Sequence, residues 1–430
     1  MSATLHAPEA PAGGSRTRRE VRTVRVALAG CGTVGGELVR LLDRSAAAIR
    51  ARHGLRFELA SVLVRDPARE RPAKLPPGLV TTDVAEFLAA DVDLVVEAIG
   101  GLDPATRIAR EALASGRRLV TANKALVAAH GPELAALARR SGTRLDFESA
   151  VGGGIPVIRS LRDSLGLTGI SAVRGILNGT SNYVLTRLGE GWRYADALAD
   201  AQARGFAEAD PERDVSGQDA ADKLRILAWL AFGTEPSTLP VRRRGIVPHP
   251  DRLARAASVA GGVLRLVGEA ALTDEGVVAS VEPVVVAAGS DLGRTRDEEN
   301  AVVVASRWNG SVRLSGPGAG GSPTASALLG DMLRGAQRLP RPASTPAAPT
   351  DRRAHRWVIG VSGRCTDEGF LARTLARAGM VAATLGRADG DLFVGTGAHP
   401  WPRVDLALRA LEASGCSPVA ARWESAPADG

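Results

Sequence analysis

Asp219 and Lys223 stand four residues apart in the stretch 205 to 227, GFAEADPERDVSGQDAADKLRIL. Residues four apart share one face of a helix, so a carboxylate there can hold an ammonium. Exposed, the pair is an ordinary surface contact worth about 0.5 kcal/mol. Buried, it positions an ammonium for acid-base work and leaves Glu208, in the loop ahead, to bind a substrate amino group. Lysine usage bears on the choice. Of 54 Lys plus Arg only three are lysine: Lys74, Lys124 and Lys223. A biased genome accounts for arginine elsewhere. Arginine supplies charge but keeps its proton, whereas lysine can act as a proton carrier or a compact point charge. Among the neighbouring acids, Asp210, Glu212 and Asp222 read as solvated, and Asp214 stays open between site and surface.

Lys124 lies in VTANKAL (120 to 126), at the end of a strand pattern. In an open parallel sheet, ligands bind at carboxyl strand ends. Gly30, Gly32 and Gly35 form Gly-x-Gly-x-x-Gly between the apolar run VRVALA (24 to 29) and a helical pattern. Such glycines allow the tight turn, the approach of backbone to a pyrophosphate and the packing of helix on strand. The phosphates then meet free N–H groups at a helix N-terminus. At the end of the second strand pattern stand Arg65 and Asp66, with Arg69 and Arg71 near. An acid there takes a ribose 2′-hydroxyl and an arginine a 2′-phosphate, so Arg65 leans the reading to NADP, with NAD the alternative. In ESAVGGGIPVI (148 to 158) the glycine run turns carbonyls freely, as a hinge or as ligands for a hard cation; the residues by themselves favour the hinge. GILNGTSNYVL (175 to 185) joins a strand, a polar turn and an apolar run, and reads equally as a substrate-binding turn or a capped one.

These residues need elements to hold them. Strand patterns at 24–29, 57–66, 92–100 and 117–123 alternate with helical ones, which predicts a parallel doubly wound α/β sheet over 24–150. From 151 to 338 longer helices and the strands 276–286 and 300–308 predict an α+β domain with a mixed or antiparallel sheet. SGQD (216 to 219) reads as a capping-box start for a helix running to Phe232 and stopped by Gly233. LPRPASTPAAPTD (339 to 351) reads as a linker closing at 352, and 353–430 carries a β-α-β-β-α-β order of ferredoxin-like type. Residues 1–23 lack an apolar core segment and read as a disordered tail rather than a signal peptide.

Composition narrows the function. The net charge of +7 is mild, and the best basic cluster, Arg242 to Arg244, has no aromatic neighbour, which argues against nucleic acid. No apolar run approaches the ~20 residues of a membrane span. Three cysteines, Cys31, Cys365 and Cys416, are too few and scattered for a disulfide framework or a zinc site and fit a reducing cytoplasm. The six histidines show no metal spacing.

Taken in order, GCGTVG, EAIGG, VTANKAL, ESAVGGGIP, GILNGTSNYVL, GFAEADPERDVSGQDAADKL and GPGAGGSPTASALLGDM closely resemble homoserine dehydrogenase, over about 24 to 338. The resemblance implies NAD(P)H-dependent reduction of L-aspartate 4-semialdehyde to L-homoserine, on the route to threonine, methionine and isoleucine, by a homodimer or homotetramer. It implies Lys223 as proton donor, Asp219 as the carboxylate orienting it, Lys124 as the second site lysine, and Glu208 as the acid on the substrate. Gly179 and Thr180 would line the substrate, with Asp214 beside them. Thr33, Val34, Gly100, Gly205 and Gly318 or Gly320 would touch the cofactor. A sodium ion would sit on backbone oxygens of Glu148, Val151, Gly153 and Ile155. The last module resembles the ACT domain of many bacterial members, with an amino-acid effector; DEGF (367 to 370) replaces its usual Pro-Gly, while TGAH (396 to 399) echoes its later motif. The segment 289 to 302 looks longer and more charged than the family's usual turn. The competing readings are a catalytically silent regulatory paralogue and a dehydrogenase of another amino-acid aldehyde.

Overall fold

The computed structural model describes residues 21–76, 78–335, 354–362, 365–388 and 391–423. Residues 1–20 of the tail expected over 1–23 and the Pro-rich linker lie outside them, whereas Arg22 and Thr23 of that tail instead open the first strand. Contacts divide the chain into two compact units, 1–342 and 343–430.

The first unit opens with β1 (Arg22–Ala29), α1 (Thr33–His53), β2 (Leu55–Leu63), β3 (Val80–Thr81), α2 (Val84–Ala89), β4 (Leu94–Glu97), α3 (Ala105–Ala114), β5 (Arg118–Thr121), α4 (Lys124–Arg140) and β6 (Leu145–Asp146). All six strands are parallel, in the order β3-β2-β1-β4-β5-β6. Helices cover both faces, so the strands can be apolar throughout: all four residues of β4 are buried. The order reverses between β1 and β4, and the crevice above their carboxyl ends is the place for a ligand. Gly35 is needed there, because a Cβ on it would lie 1.9 Å from the Gly30 carbonyl oxygen. The strands stop earlier than their apolar runs: β2 at Leu63, β4 at Glu97 and β5 at Thr121. The residues beyond become the loops that rim the crevice.

A second layer follows. α5 (Val157–Arg159) runs on as a π-helical turn to Leu165, then come β7 (Ile170–Ile176), α6 (Gly179–Gly189), α7 (Tyr194–Ala203), α8 (Glu212–Val215) and α9 (Gln218–Phe232). After them stand β8 (Arg242–Arg243), α10 (Pro250–Val259), β9 (Val263–Thr273), β10 (Gly276–Val286), β11 (Glu299–Ser306), β12 (Gly310–Pro317) and α11 (Gly321–Arg334). Their sheet, β12-β11-β7-β9-β10-β8, is antiparallel except for the short β8–β10 pair. Of the two forms expected, mixed or antiparallel, the sheet is antiparallel with one short parallel pair at its edge.

Two packings tie this layer to the first. Leu224, Ile226 and Leu227 of α9 share one core with Leu126, Val127 and Leu134 of α4. Trp229 of α9 stacks on Phe147 with ring centroids 5.7 Å apart. Gly131 of α4 makes room for it, since a Cβ there would stand 2.8 Å from the Trp229 ring. In addition α11 returns to the first sheet, where Ala325, Leu328 and Met332 pack with Val26, Leu28 and Leu38. Arg118 of β5 donates to the carbonyls of Asp331 and Met332, fixing the end of that helix.

The second unit comprises β13 (Ala354–Ser362), α12 (Glu368–Arg377), β14 (Ala382–Ala388), β15 (Asp391–Thr396), β16 (His399–Pro400), α13 (Trp401–Ala413) and β17 (Ser417–Trp423). Its antiparallel sheet has the order β14-β15-β13-β17, with β16 a short addition on β13. This is the βαββαβ arrangement expected from the sequence. In the DEGF stretch, Asp367 caps α12 by accepting from the Phe370 N–H. One expectation is corrected: Cys365 and Cys416 are joined in a disulfide, with Cα atoms 5.6 Å apart across a separation of 51 residues. Sequence distance hid the pair, because the fold brings the lead-in to α12 against the start of β17. Cys31 alone is free.

Leu328, fully buried between α1 and β1, gives a test of the returning helix. Leu328→Ala is expected to lower unfolding stability by about 2–5 kcal/mol, the range for emptying a leucine-sized core site, measured by urea denaturation.

Candidate functional site

Asp219 is the hub. It sits in the first turn of α9, only 5% exposed. Its Oδ2 lies 2.8 Å from Lys223 Nζ one turn on. Its Oδ1 lies 2.7 Å from Lys124 Nζ, the first residue of α4. Lys223 Nζ also donates to the Leu177 carbonyl oxygen at 2.7 Å. The buried version of the pair is thus the one present, and the packing of α9 on α4 adds the second lysine to it. Burial would raise the Asp219 pKa, but Lys223 and Lys124 outweigh it and hold the carboxyl far below the ordinary range. Burial pulls the Lys124 pKa down, and the Asp219 charge more than restores it, leaving a net rise.

Asn178, at the end of β7, completes the cluster. Its Nδ2 donates to Asp219 Oδ2 at 2.9 Å and to Asp214 Oδ1 at 2.7 Å. Its Oδ1 accepts from the Ser181 N–H at 2.8 Å, capping α6. Every polar atom of that amide is therefore used. Asp214 joins the site through it; burial raises the Asp214 pKa, Asn178 opposes this, and the Asp219 charge adds to the rise. Gly179 and Thr180 follow at the start of α6, where Thr180 donates to the Phe206 carbonyl at 2.5 Å. The α9 start departs from the capping-box expectation: Gly217 is its N-cap and makes no side-chain cap. Ser216 Oγ instead accepts from Arg243 at 2.9 Å, and the acid of the first turn faces the lysines.

Lys124 and Lys223 open onto a cleft of about 350 Å³ walled by Thr33, Val34, Gly100, Gly153, Gly318 and Gly320. A second cleft, of about 800 Å³, holds Gly30, Gly32, Arg65 and Asp66. The two share Thr33, Ala98 and Ile99, so together they form one track across the switch point of the sheet. A pyrophosphate fits its middle. Gly32 has open space where a Cβ would be, and α1 begins there with no side-chain cap and no acid in its first turn, which leaves its N–H groups for an anion. Arg71 is engaged with the carbonyls of Pro67 and Arg69 at 3.0 and 2.9 Å. Arg65 is exposed and, among the described residues, has no partner.

Other expected residues stand apart. Glu208 is exposed, and its backbone carbonyl accepts from Gln202 at 3.1 Å. Neither it nor Gly205 is among the residues walling the cleft. The Glu148 carboxylate accepts from the Ile158 and Arg159 N–H groups at 2.8 and 2.9 Å, so its side chain caps α5. Burial and the neighbouring Asp331 push its pKa up to about 7. The carbonyls of Val151 and Gly153, both in buried residues, accept from no described donor, while that of Ile155 accepts from Val157 at 2.8 Å. Such a set of carbonyl oxygens fits a hard cation.

Family models match the two halves of this unit. One described as homoserine dehydrogenase, NAD binding domain covers residues 30–148, and one described as homoserine dehydrogenase covers 156–333. The homoserine dehydrogenase of Mycobacterium tuberculosis is 42% identical over 323 residues, 74% of this chain and 73% of its own. The chain belongs to the homoserine dehydrogenase family. The homoserine dehydrogenase of Bacillus subtilis is 36% identical over 73% of each chain. Among solved structures, a homoserine dehydrogenase from Thiobacillus denitrificans aligns with a TM-score of 0.66 at 32% identity, over 94% of this chain and 98% of that one. A hyperthermophilic archaeal homoserine dehydrogenase in complex with NADPH aligns at 0.61 and 25% identity, over 73% of this chain and 98% of that one. As a homoserine dehydrogenase the protein is an oxidoreductase of amino-acid biosynthesis that uses a nicotinamide cofactor and a small-molecule substrate. No helix among the described residues is long and apolar enough to cross a membrane.

Sequence reasoning missed Asn178, although it lies inside the quoted NGTSN turn. It also missed Glu97, Thr121 and Asn123, buried polar residues at the ends of β4 and β5; the acid of EAIGG, ending an otherwise apolar strand, was their one visible signal.

Asp219→Asn tests the hub. Removing one partner of a buried ion pair costs about 3–5 kcal/mol. The native pKa of Asp219 is depressed, so its contribution is present above the unfolded value of about 3.9 and is lost only as pH falls through the lower native value. Urea unfolding at pH 7 and pH 5 is expected to give the same loss for Asp219→Asn, within error.

Proposed function

We propose that the track binds NADPH and that the Asp219 cluster works on L-aspartate 4-semialdehyde, reducing it to L-homoserine. The observation that carries this reading is the buried Asp219 carboxylate holding both lysines at the mouth of the cleft. When bound, the nicotinamide supplies the hydride. The chain's own residues then supply the proton and the geometry. An ammonium has three protons. Lys223 directs two to Asp219 and the Leu177 carbonyl, so the third is left for the substrate oxygen, which takes the proton as the alcohol forms. Asp219 keeps Lys223 aimed and keeps Lys124 charged. Lys124, with a side chain 38% exposed, offers its cation to the substrate. Asp214, Gly179 and Thr180 would lie beside the substrate, and Glu208, which stands outside the cleft wall in this structure, would bind its amino group on the family resemblance alone.

Arg65, unpartnered in the outer cleft, favours the 2′-phosphate of NADP over NAD. The carbonyls of Glu148, Val151, Gly153 and Ile155 would hold a sodium ion, which would brace the loop beside Gly318. A cytoplasmic homodimer or homotetramer with an ACT-like effector module at its end completes the reading.

Lys223→Ala is expected to lower kcat about 100- to 10,000-fold, the span for loss of a positioned proton donor, with the far-ultraviolet spectrum unchanged. The assay follows NADPH and NADH oxidation side by side with aspartate semialdehyde, with and without threonine. A wild type inactive with that substrate sinks the substrate assignment, and a fully active Lys223→Ala sinks the proton-donor role.

A further inference from the structure

Glu97 ends β4 directly behind the inner cleft and is fully buried. Four donors converge on its carboxylate. The N–H groups of Ile99 and Gly100 reach Oε1 at 2.9 and 3.2 Å. Asn123 Nδ2 reaches the same oxygen at 3.4 Å, and the Thr121 hydroxyl donates to Oε2. Among the described residues no Lys, Arg or His pairs with it. Ile99, Gly100 and Asn123 are themselves walls of the inner cleft, so one layer of backbone separates the carboxylate from whatever lies there.

The bonding pattern is that of an ionised group. Thr121 Oγ1 already accepts from the Asn123 N–H at 3.0 Å, and its only proton is directed at Glu97. A proton added at Oε2 would compete with that hydroxyl for the same contact, whereas the carboxylate accepts all four donors. Burial raises the pKa on balance, and the hydrogen bonds from Thr121, Ile99, Gly100 and Asn123 offset part of that rise and favour the ionised form. A buried charge is costly unless something compensates it. Here the compensation inside the chain is hydrogen bonding alone, which leaves the field of the anion directed outward.

We propose that Glu97 is a fixed buried anion that favours the oxidised, positively charged nicotinamide ring over the reduced, neutral one. The inference rests on the placement of that ring in the inner cleft. Hydride departure leaves a positive charge on the ring, so an anion already in place stabilises that charge without reorganising when it develops. Glu97 touches neither substrate nor cofactor. It is a positioning residue in the electrostatic sense, and its signature is a difference between two redox forms of one ligand.

Glu97→Gln separates charge from shape. The amide oxygen can keep the Ile99, Gly100 and Asn123 bonds, and the amide nitrogen can donate to Thr121 Oγ1, whose own proton then turns away. Dissociation constants of NADP+ and NADPH, and of NAD+ and NADH in parallel, are measured by calorimetry on the full chain. For Glu97→Gln the oxidised form is expected to bind about tenfold more weakly, while the reduced form changes less than about twofold, as expected for removal of one charge a few ångströms away. Glu97→Asp, which keeps the charge, is expected to retain the wild-type ratio even where both affinities fall. Equal changes in the two redox forms for Glu97→Gln, or a ratio shifted as far by Glu97→Asp, overturn the proposal. A wild type that binds neither form overturns the cleft assignment, and the inference with it.

Discussion

One buried carboxylate shared by two ammonium groups is the constraint on which the site depends. Asp219 is buried, and a lone charge in that place would be prohibitive. Lys124 and Lys223 compensate it, and its charge in turn holds Lys223 in a buried place. The arrangement also fixes architecture. Lys124 begins a helix of the parallel sheet, whereas Asp219 and Lys223 belong to a helix of the second layer. The triad can close only where α4 and α9 lie against each other, and the Gly131–Trp229 approach with the Phe147 stack sets that contact.

The two layers contribute different parts. The parallel sheet supplies a track at its switch point: a glycine with open space beside it, a helix start with unclaimed N–H groups, and the loops after β4 and β5. The second layer supplies titratable groups and the NGTSN turn whose asparagine links Asp214 to Asp219. α11 closes the arrangement, since the chain that leaves β12 past Gly318 and Gly320 returns to pack on α1 and β1. Cleft wall and core packing are thus continuous in one segment.

Much of this was legible from residue types. Apolar runs separated by helical patterns announced the parallel sheet, and the glycine spacing pointed to the crevice at its switch point. The scarcity of lysine singled out two of the three side chains in the triad. Lys74, the third lysine, has no role here. What stayed hidden depends on long-range contact. The pairing of Lys124 with an acid 95 positions later is a consequence of helix packing, which local periodicity does not carry. The same holds for the Cys365–Cys416 disulfide and for the return of α11. The start of α9 was misread because Ser216 looks like a cap, whereas tertiary contacts claim Ser216 for Arg243 and Asp219 for the lysines. Glu97 lies inside EAIGG, where an acid after an apolar run does not by itself single it out, and only the convergence of four donors marks it.

A chain with three lysines permits a direct measurement. Selective ¹³C or ¹⁵N labelling of lysine side chains gives three resonances, assignable with single substitutions and followed by NMR titration. If Asp219 dominates the local field, Lys124 loses its proton above the ordinary lysine value of about 10.4, and Asp219→Asn brings that midpoint down while leaving Lys74 in place. A Lys124 midpoint below the ordinary value in the wild-type protein, or one indifferent to Asp219→Asn, would contradict the account.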